Sequence, residues 1–165
     1  MNQRHRLTMI KQARVESEWI EGAAGLFDQW MTEVLPTAKR LKRESDANTE
    51  TCLLLSTGNE IRRLNREFRG RDQETNVLAF PSHDWLSEDQ LSIGDLVICP
   101  KVVRREARAQ GKNPRDHFLH LLLHGMLHLL GYDHMTARQA AVMESREIAM
   151  LETMGISNPY TEAAQ

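Results

Sequence analysis

The chain has 165 residues, enough for one domain with a real core. Hydrophobic residues make up 41% and charged residues 27%, as in an ordinary soluble globular protein, and no apolar run reaches the ~20 residues of a membrane span. A formal net charge of −2 excludes a uniformly basic nucleic-acid binder. The distribution is less even than the sum. Arg62, Arg63, Arg66, Arg69 and Arg71 share one short segment, Lys101, Arg104, Arg105 and Arg108 form a second basic group, and KRLKR at 39–43 a third. A near-neutral protein can still turn a basic face to phosphate.

The opening residues MNQRHRLTMIKQARVE lack the apolar stretch of about 7–15 residues that marks a signal peptide. Cys52 and Cys99 stand alone in apolar segments and are expected to be buried free thiols, which suits a reducing cytosol. Residues 6–15 alternate loosely and read as a first strand. Residues 18–35 read as an amphipathic helix, with Trp19, Ala23, Leu26, Trp30 and Val34 near helical spacing and Pro36 disturbing its end. TCLLLS at 51–56 is an apolar run between polar residues, the pattern of a buried strand. Thr57 caps a predicted helix over 59–68, with Glu60 three residues on as in a capping box. Ile61, Leu64 and Phe68 mark its core face and Gly70 ends it.

Two more strands are predicted, 76–80 (NVLAF) closed by Pro81 and 93–99 (IGDLVIC) closed by Pro100, with a polar loop between them. Residues 101–110 look helical and stop at Gly111. Asn113 and Pro114 then open a helix that runs to Leu130, where Gly131 terminates it. A last helix covers 136–154 and stops at Gly155. Strands come early and helices late. The expected class is α+β: a single small domain over 1–165, with a short, mostly four-stranded sheet covered by about five helices and a metal site at a helix C-terminus.

LHGMLHLLGYDH, at 123–134, carries the chemistry. Residues four apart share a helix face, so His124 and His128 point the same way. Gly131 permits a sharp turn, and His134 can swing back towards the pair. Three neutral imidazoles leave a fourth position open, the arrangement of a catalytic zinc site. The spacing equals that of the long zinc-protease motif, except that Gly125 stands where the general-base glutamate would be. That argues against peptide hydrolysis. The competing readings are packing histidines, since His117 and His120 lie on the same helix, or a His120/His124 pair. His117 and His120 are assigned to packing or supporting roles, and His5 and His83 to the surface.

LHGMLHLLGYDH resembles the signature of the YbeY-type bacterial rRNA maturation factors, metal-dependent single-strand endoribonucleases. LNREFRGRDQETNVLAFP and IGDLVIC resemble that family's second and third signatures, and GISNPY its usual ending. The likeness covers roughly 51–160. It implies one Zn2+ or another divalent transition metal on His124, His128 and His134, and a catalytic arginine at Arg69. The family commonly has serine where Ala79 stands. The resemblance further implies cleavage of single-stranded RNA in maturing the 3′ end of small-subunit (16S) rRNA, ribosome quality control in the cytoplasm, and ribosomal partners without a membrane.

From the residues themselves, the Arg69 guanidinium is suited to fork onto two phosphate oxygens. Arg62 and Arg66, one turn apart, are expected to track the RNA backbone. Asp133 either orients a ligand imidazole or caps the last helix. Asp95, polar in an apolar strand, is expected to give structural support near the metal, and Tyr132 to pack beneath the site. The alternatives are a zinc hydrolase of another class, such as a protease, and a non-catalytic ribosome assembly factor with a structural metal.

Overall fold

The computed structural model describes residues 4–161; the ends of the domain expected over 1–165 lie outside that span. Strands β1 (His5–Lys11), β2 (Asn48–Leu55), β3 (Val77–Trp85) and β4 (Gln90–Ile98) form one sheet in the order β1-β2-β4-β3. β2 runs parallel to both β1 and β4, and β3 pairs antiparallel with β4. The helices are α1 (Ser17–Ile20), α2 (Ala23–Val34), α3 (Gly58–Arg69), α4 (Pro100–Gln110), α5 (Pro114–Leu129) and α6 (Ala137–Glu152). This is the expected α+β class, a four-stranded sheet covered by helices.

Side chains alternate between the sheet's faces. Leu53, Leu55, Ile93, Leu96 and Ile98 point into the main core, beneath α2 and α5. Leu78 and Val97 point the other way and meet Ile61 of α3 and Val102 of α4. α5 is apolar nearly all round and almost wholly buried, as the central helix of such a layer must be. Asn113 opens it by accepting hydrogen bonds from the amides of Arg115 and Asp116. No helix among the described residues is long and apolar enough to cross a membrane.

Several predicted elements change. The helix expected over 18–35 is two helices, because Gly22 sits at φ 75° and breaks the run. The strand expected over 6–15 stops at Lys11. Pro81 does not close the third strand: β3 continues to Trp85, and only 86–89 separate it from β4. β3 is an edge strand with a register shift between Pro81 and Asp84, where a missing N–H is tolerated. Phe68, expected in the core, is exposed and packs edge-on against Phe80 at 5.3 Å. His5, expected at the surface, is 1% exposed and lies 3.0 Å from the Thr49 hydroxyl. His83 is exposed as expected. Cys99 is a buried free thiol and Cys52 a half-buried one.

Candidate metal centre

His124 and His128 project from the same side of α5, with ring centroids 4.6 Å apart. The helix then closes at Leu130, and Gly131 at φ 92° reverses the chain. A Cβ at Gly131 would lie 2.9 Å from the Cβ of Arg40, so the turn requires glycine for space as well as for conformation. The reversal returns the His134 ring to 5.5 Å from His124 and 5.0 Å from His128. One ring nitrogen from each residue falls within 4.8 Å of the other two.

The outer nitrogens decide what the inner ones can do. His124 Nδ1 lies 2.6 Å from Glu147 Oε1, so Nδ1–H donates and, in the neutral ring, Nε2 keeps its lone pair. His128 Nδ1 lies 3.0 Å from the Tyr132 carbonyl, which can only accept. Its Nε2 is therefore also unprotonated in the neutral ring. These two Nε2 atoms stand 3.1 Å apart, and with both rings neutral they face each other lone pair to lone pair. Burial, with His124 and His134 close by, holds His128 down at about 4, so a proton on His128 does not relieve the contact near neutral pH. A shared cation would.

Glu147 is the second sign of a cation. It is 0% exposed, and its only ion-pair partners among the described residues are His120 and His124. Burial pushes its carboxyl up, but hydrogen bonds from His120 and His124 outweigh this and bring it to about 2. A buried carboxylate whose partners are two imidazoles and the Tyr160 hydroxyl favours positive charge nearby. The chemistry of this donor set fits a divalent transition ion, whose imidazole ligands usually pass their other N–H to an acceptor. His120, His124 and Glu147 also lie within ligand distance of one another, but that group is closed by its own hydrogen bonds and faces the interior.

The three histidines open on a cleft of about 740 Å³ whose wall includes Arg40, Arg69 and Arg71. Arg40 is structural: it donates to the carbonyls of Leu129 at 2.9 Å and Ser82 at 2.6 Å, tying the end of α5 to β3. Arg69 is exposed, donates to the Ala79 carbonyl at 2.8 Å and lies over the Phe80 ring. Those contacts hold its plane at the cleft. Arg71 is exposed and forms no side-chain hydrogen bond or ion pair among the described residues.

Other sites expected from the sequence move. Arg62 and Arg66 do not line the cleft; both engage Asp72, Arg62 at 2.9 Å and Arg66 at 3.6 Å. The Asp133 carboxylate accepts from the His134 amide at 2.7 Å, so the orienting roles considered for it fall to Glu147 and the Tyr132 carbonyl. The last helix is capped by Thr136 instead. Asp95 points to the far face of the sheet, among Cys52, Leu54 and Phe80, and so does not support the metal centre. Burial pushes its carboxyl up. His117 packs against Glu106 at 2.8 Å, His120 supports Glu147, and Tyr132 is buried beneath the site, as expected.

Sequence reasoning misses Glu147 and gives Arg71 no separate role. A signal for Glu147 exists. Met143, Glu147, Met150 and Leu151 fall on one helical stripe and all are buried, and a carboxylate on such a stripe demands a partner. Gly125 also gains a reason. A Cβ there would meet a Leu96 methyl at 2.9 Å and a Val77 methyl at 3.4 Å, so a side chain at this position requires Leu96 to shift. The close fit of α5 on the sheet favours glycine over the glutamate of the protease motif.

The model of the family described as endoribonuclease YbeY matches residues 13–155, and the chain belongs to that family. A protein named endoribonuclease YbeY from Neisseria meningitidis serogroup B is 46% identical, with 94% of each chain covered. Another so named, from Alkalilimnicola ehrlichii, is 54% identical over 61% of this chain and 62% of its own length. In fold, the chain is similar to the solution structure of TM1509 from Thermotoga maritima, with a TM-score of 0.52 at 22% identity, covering 95% of this chain and 99% of that one.

Proposed function

We propose that the chain is a metal-dependent endoribonuclease that cuts single-stranded RNA, using one divalent ion, most simply Zn2+, held by His124, His128 and His134. Its natural substrate would be precursor rRNA at the 3′ end of the small subunit, reached in the cytoplasm in contact with the ribosome or its small-subunit proteins, with a further part in ribosome quality control. The whole chain acts as one domain in this reading. Family membership supports the reaction class. The observation that carries the site is the convergence of three imidazoles, with two Nε2 atoms 3.1 Å apart, beside a cleft walled by guanidinium groups.

A divalent ion in that position supplies Lewis acidity towards a phosphoryl oxygen or a water. The protein's own part is charge and orientation. Arg69, its plane held by Ala79 and Phe80, presents N–H groups to the non-bridging phosphate oxygens as charge builds on them. Arg71 attracts the backbone without first breaking an ion pair. The Tyr132 carbonyl and Glu147 keep two rings in the tautomer that aims a lone pair at the ion. No carboxylate occupies the position of Gly125 to serve as a base for peptide hydrolysis.

The deciding assay incubates zinc-loaded protein with a single-stranded precursor rRNA fragment and, separately, with casein. RNA is expected to be cut and casein left whole, with cleavage lost on chelation and in His124→Ala. Intact RNA under every metal supplied would overturn the reading. So would a folded His124→Ala variant that still cleaves and still supports rRNA maturation.

A further inference from the structure

The C-terminal segment reaches the metal centre by an indirect route. After α6 the chain doubles back: the Ile156 amide bonds the Leu151 carbonyl at 3.0 Å, and the Ile156 side chain enters the core. Lys112 holds the Pro159 carbonyl at 2.7 Å. This sets the Tyr160 ring edge-on to His120, with centroids 5.5 Å apart. Its hydroxyl donates to Glu147 Oε2. His120 Nε2 reaches the same oxygen at 3.0 Å, and His124 Nδ1 holds Oε1 at 2.6 Å.

The carboxylate is thus pinned from both ends. Two donors on Oε2 stop it from turning, which fixes the position of Oε1, and Oε1 in turn fixes the plane and tautomer of His124. We infer that Glu147 and Tyr160 are positioning residues for the metal centre: Glu147 aims His124, and Tyr160, with His120, aims Glu147. The inference rests on the reading of His124, His128 and His134 as the metal site. A carboxyl group with packing duties alone would gain nothing from being held by three directed hydrogen bonds, since an apolar side chain of its size would fill that place at lower cost. Its geometry is instead that of an acceptor set behind a ligand imidazole.

Zinc affinity is measured on the full chain by competition with a chromophoric chelator, for wild type, Glu147→Gln, Tyr160→Phe and His128→Ala. Urea unfolding of metal-stripped and zinc-loaded protein accompanies it. The amide introduced by Glu147→Gln keeps the shape of the carboxylate but offers only one acceptor oxygen, and turns N–H groups towards a donor. Zinc binding by Glu147→Gln is expected to weaken by about 10–100-fold. Tyr160→Phe, one step removed, is expected to weaken it by about three- to tenfold. The 15N shifts of His124 in metal-stripped protein should report the Nδ1–H tautomer in wild type and a mixture in Glu147→Gln.

A merely structural role would lower the unfolding midpoints of stripped and loaded protein alike and leave zinc affinity unchanged. Wild-type affinity in both Glu147→Gln and Tyr160→Phe, with affinity lost in His128→Ala, overturns this inference and leaves the metal site standing. Wild-type affinity in His128→Ala overturns the metal site itself. Should Glu147→Gln not fold, Tyr160→Phe decides alone, because it removes one hydroxyl and keeps the ring.

Discussion

At Gly125 the missing side chain leaves room for close packing of α5 on the sheet and leaves no carboxylate for peptide hydrolysis. Leu96 and Val77 stand where its Cβ would go, so adding even a methyl group must displace a packed sheet residue. Gly125→Ala is expected to cost about 1–3 kcal/mol in urea unfolding, with Gly125→Glu worse and without gain of proteolysis. An unfolding midpoint unchanged in Gly125→Ala would show that α5 is not pressed against the sheet. Among the arginines, contact partners separate the roles. Arg69→Ala is expected to slow RNA cleavage by about 10²-fold or more, and Arg69→Lys to restore little of it, because lysine lacks the planar fork. Arg62→Ala should cut at nearly the wild-type rate, since that guanidinium is committed to Asp72 at 2.9 Å. Equal losses in Arg62→Ala and Arg69→Ala would return the phosphate contact to the outer face of α3.

The elements of the site differ in how far they can be read from the chain. His124, His128, Gly131 and His134 lie in one short segment, where helical spacing and a helix-stopping glycine are enough to bring them together. Glu147 comes from another helix, and which helix α6 faces depends on packing that no local pattern states. Proximity in sequence points to Asp133 for the orienting role, while the neighbour in space lies on α6. Asp95 departs from expectation for a related reason: strand alternation places it opposite Leu96, on the face away from α5. β3 reads short in the sequence because Pro81 looks like a terminator, and only the sheet order reveals that its strand is an edge. That extension has a use, for it brings the Ser82 carbonyl to Arg40, which also holds the last turn of α5. Arg40→Ala is expected to lower stability by about 1.5–3 kcal/mol, read by urea unfolding. A neutral result would mean that the turn at Gly131 holds without this tie.

Over the whole molecule, a net charge of −2 conceals a cleft where three arginines surround three imidazoles. Burial lowers His5 and His120 from their ordinary value of 6.5, and takes His128 down to about 4. Each is therefore protonated more readily in the unfolded chain than in the fold. Their stabilising contribution is complete above about pH 6.5 and falls as the pH drops towards 4. Glu147, lowered from 4.5 to about 2, adds a further loss below pH 4.5. Metal-stripped protein should unfold at progressively lower urea concentration from pH 7 to pH 4. A flat profile over that range would contradict neutral buried imidazoles. Loading with zinc should raise stability at pH 7 and do so less as the pH falls, because protons compete for the same nitrogens.

The functional reading depends on three converging rings sharing one ion. X-ray absorption at the zinc edge of the loaded protein tests that most directly. It should reveal one zinc per chain, about three imidazole nitrogens near 2.0–2.1 Å and a further light atom, with no sulfur. A first shell containing the Glu147 carboxylate, a thiolate, or only one imidazole would contradict it.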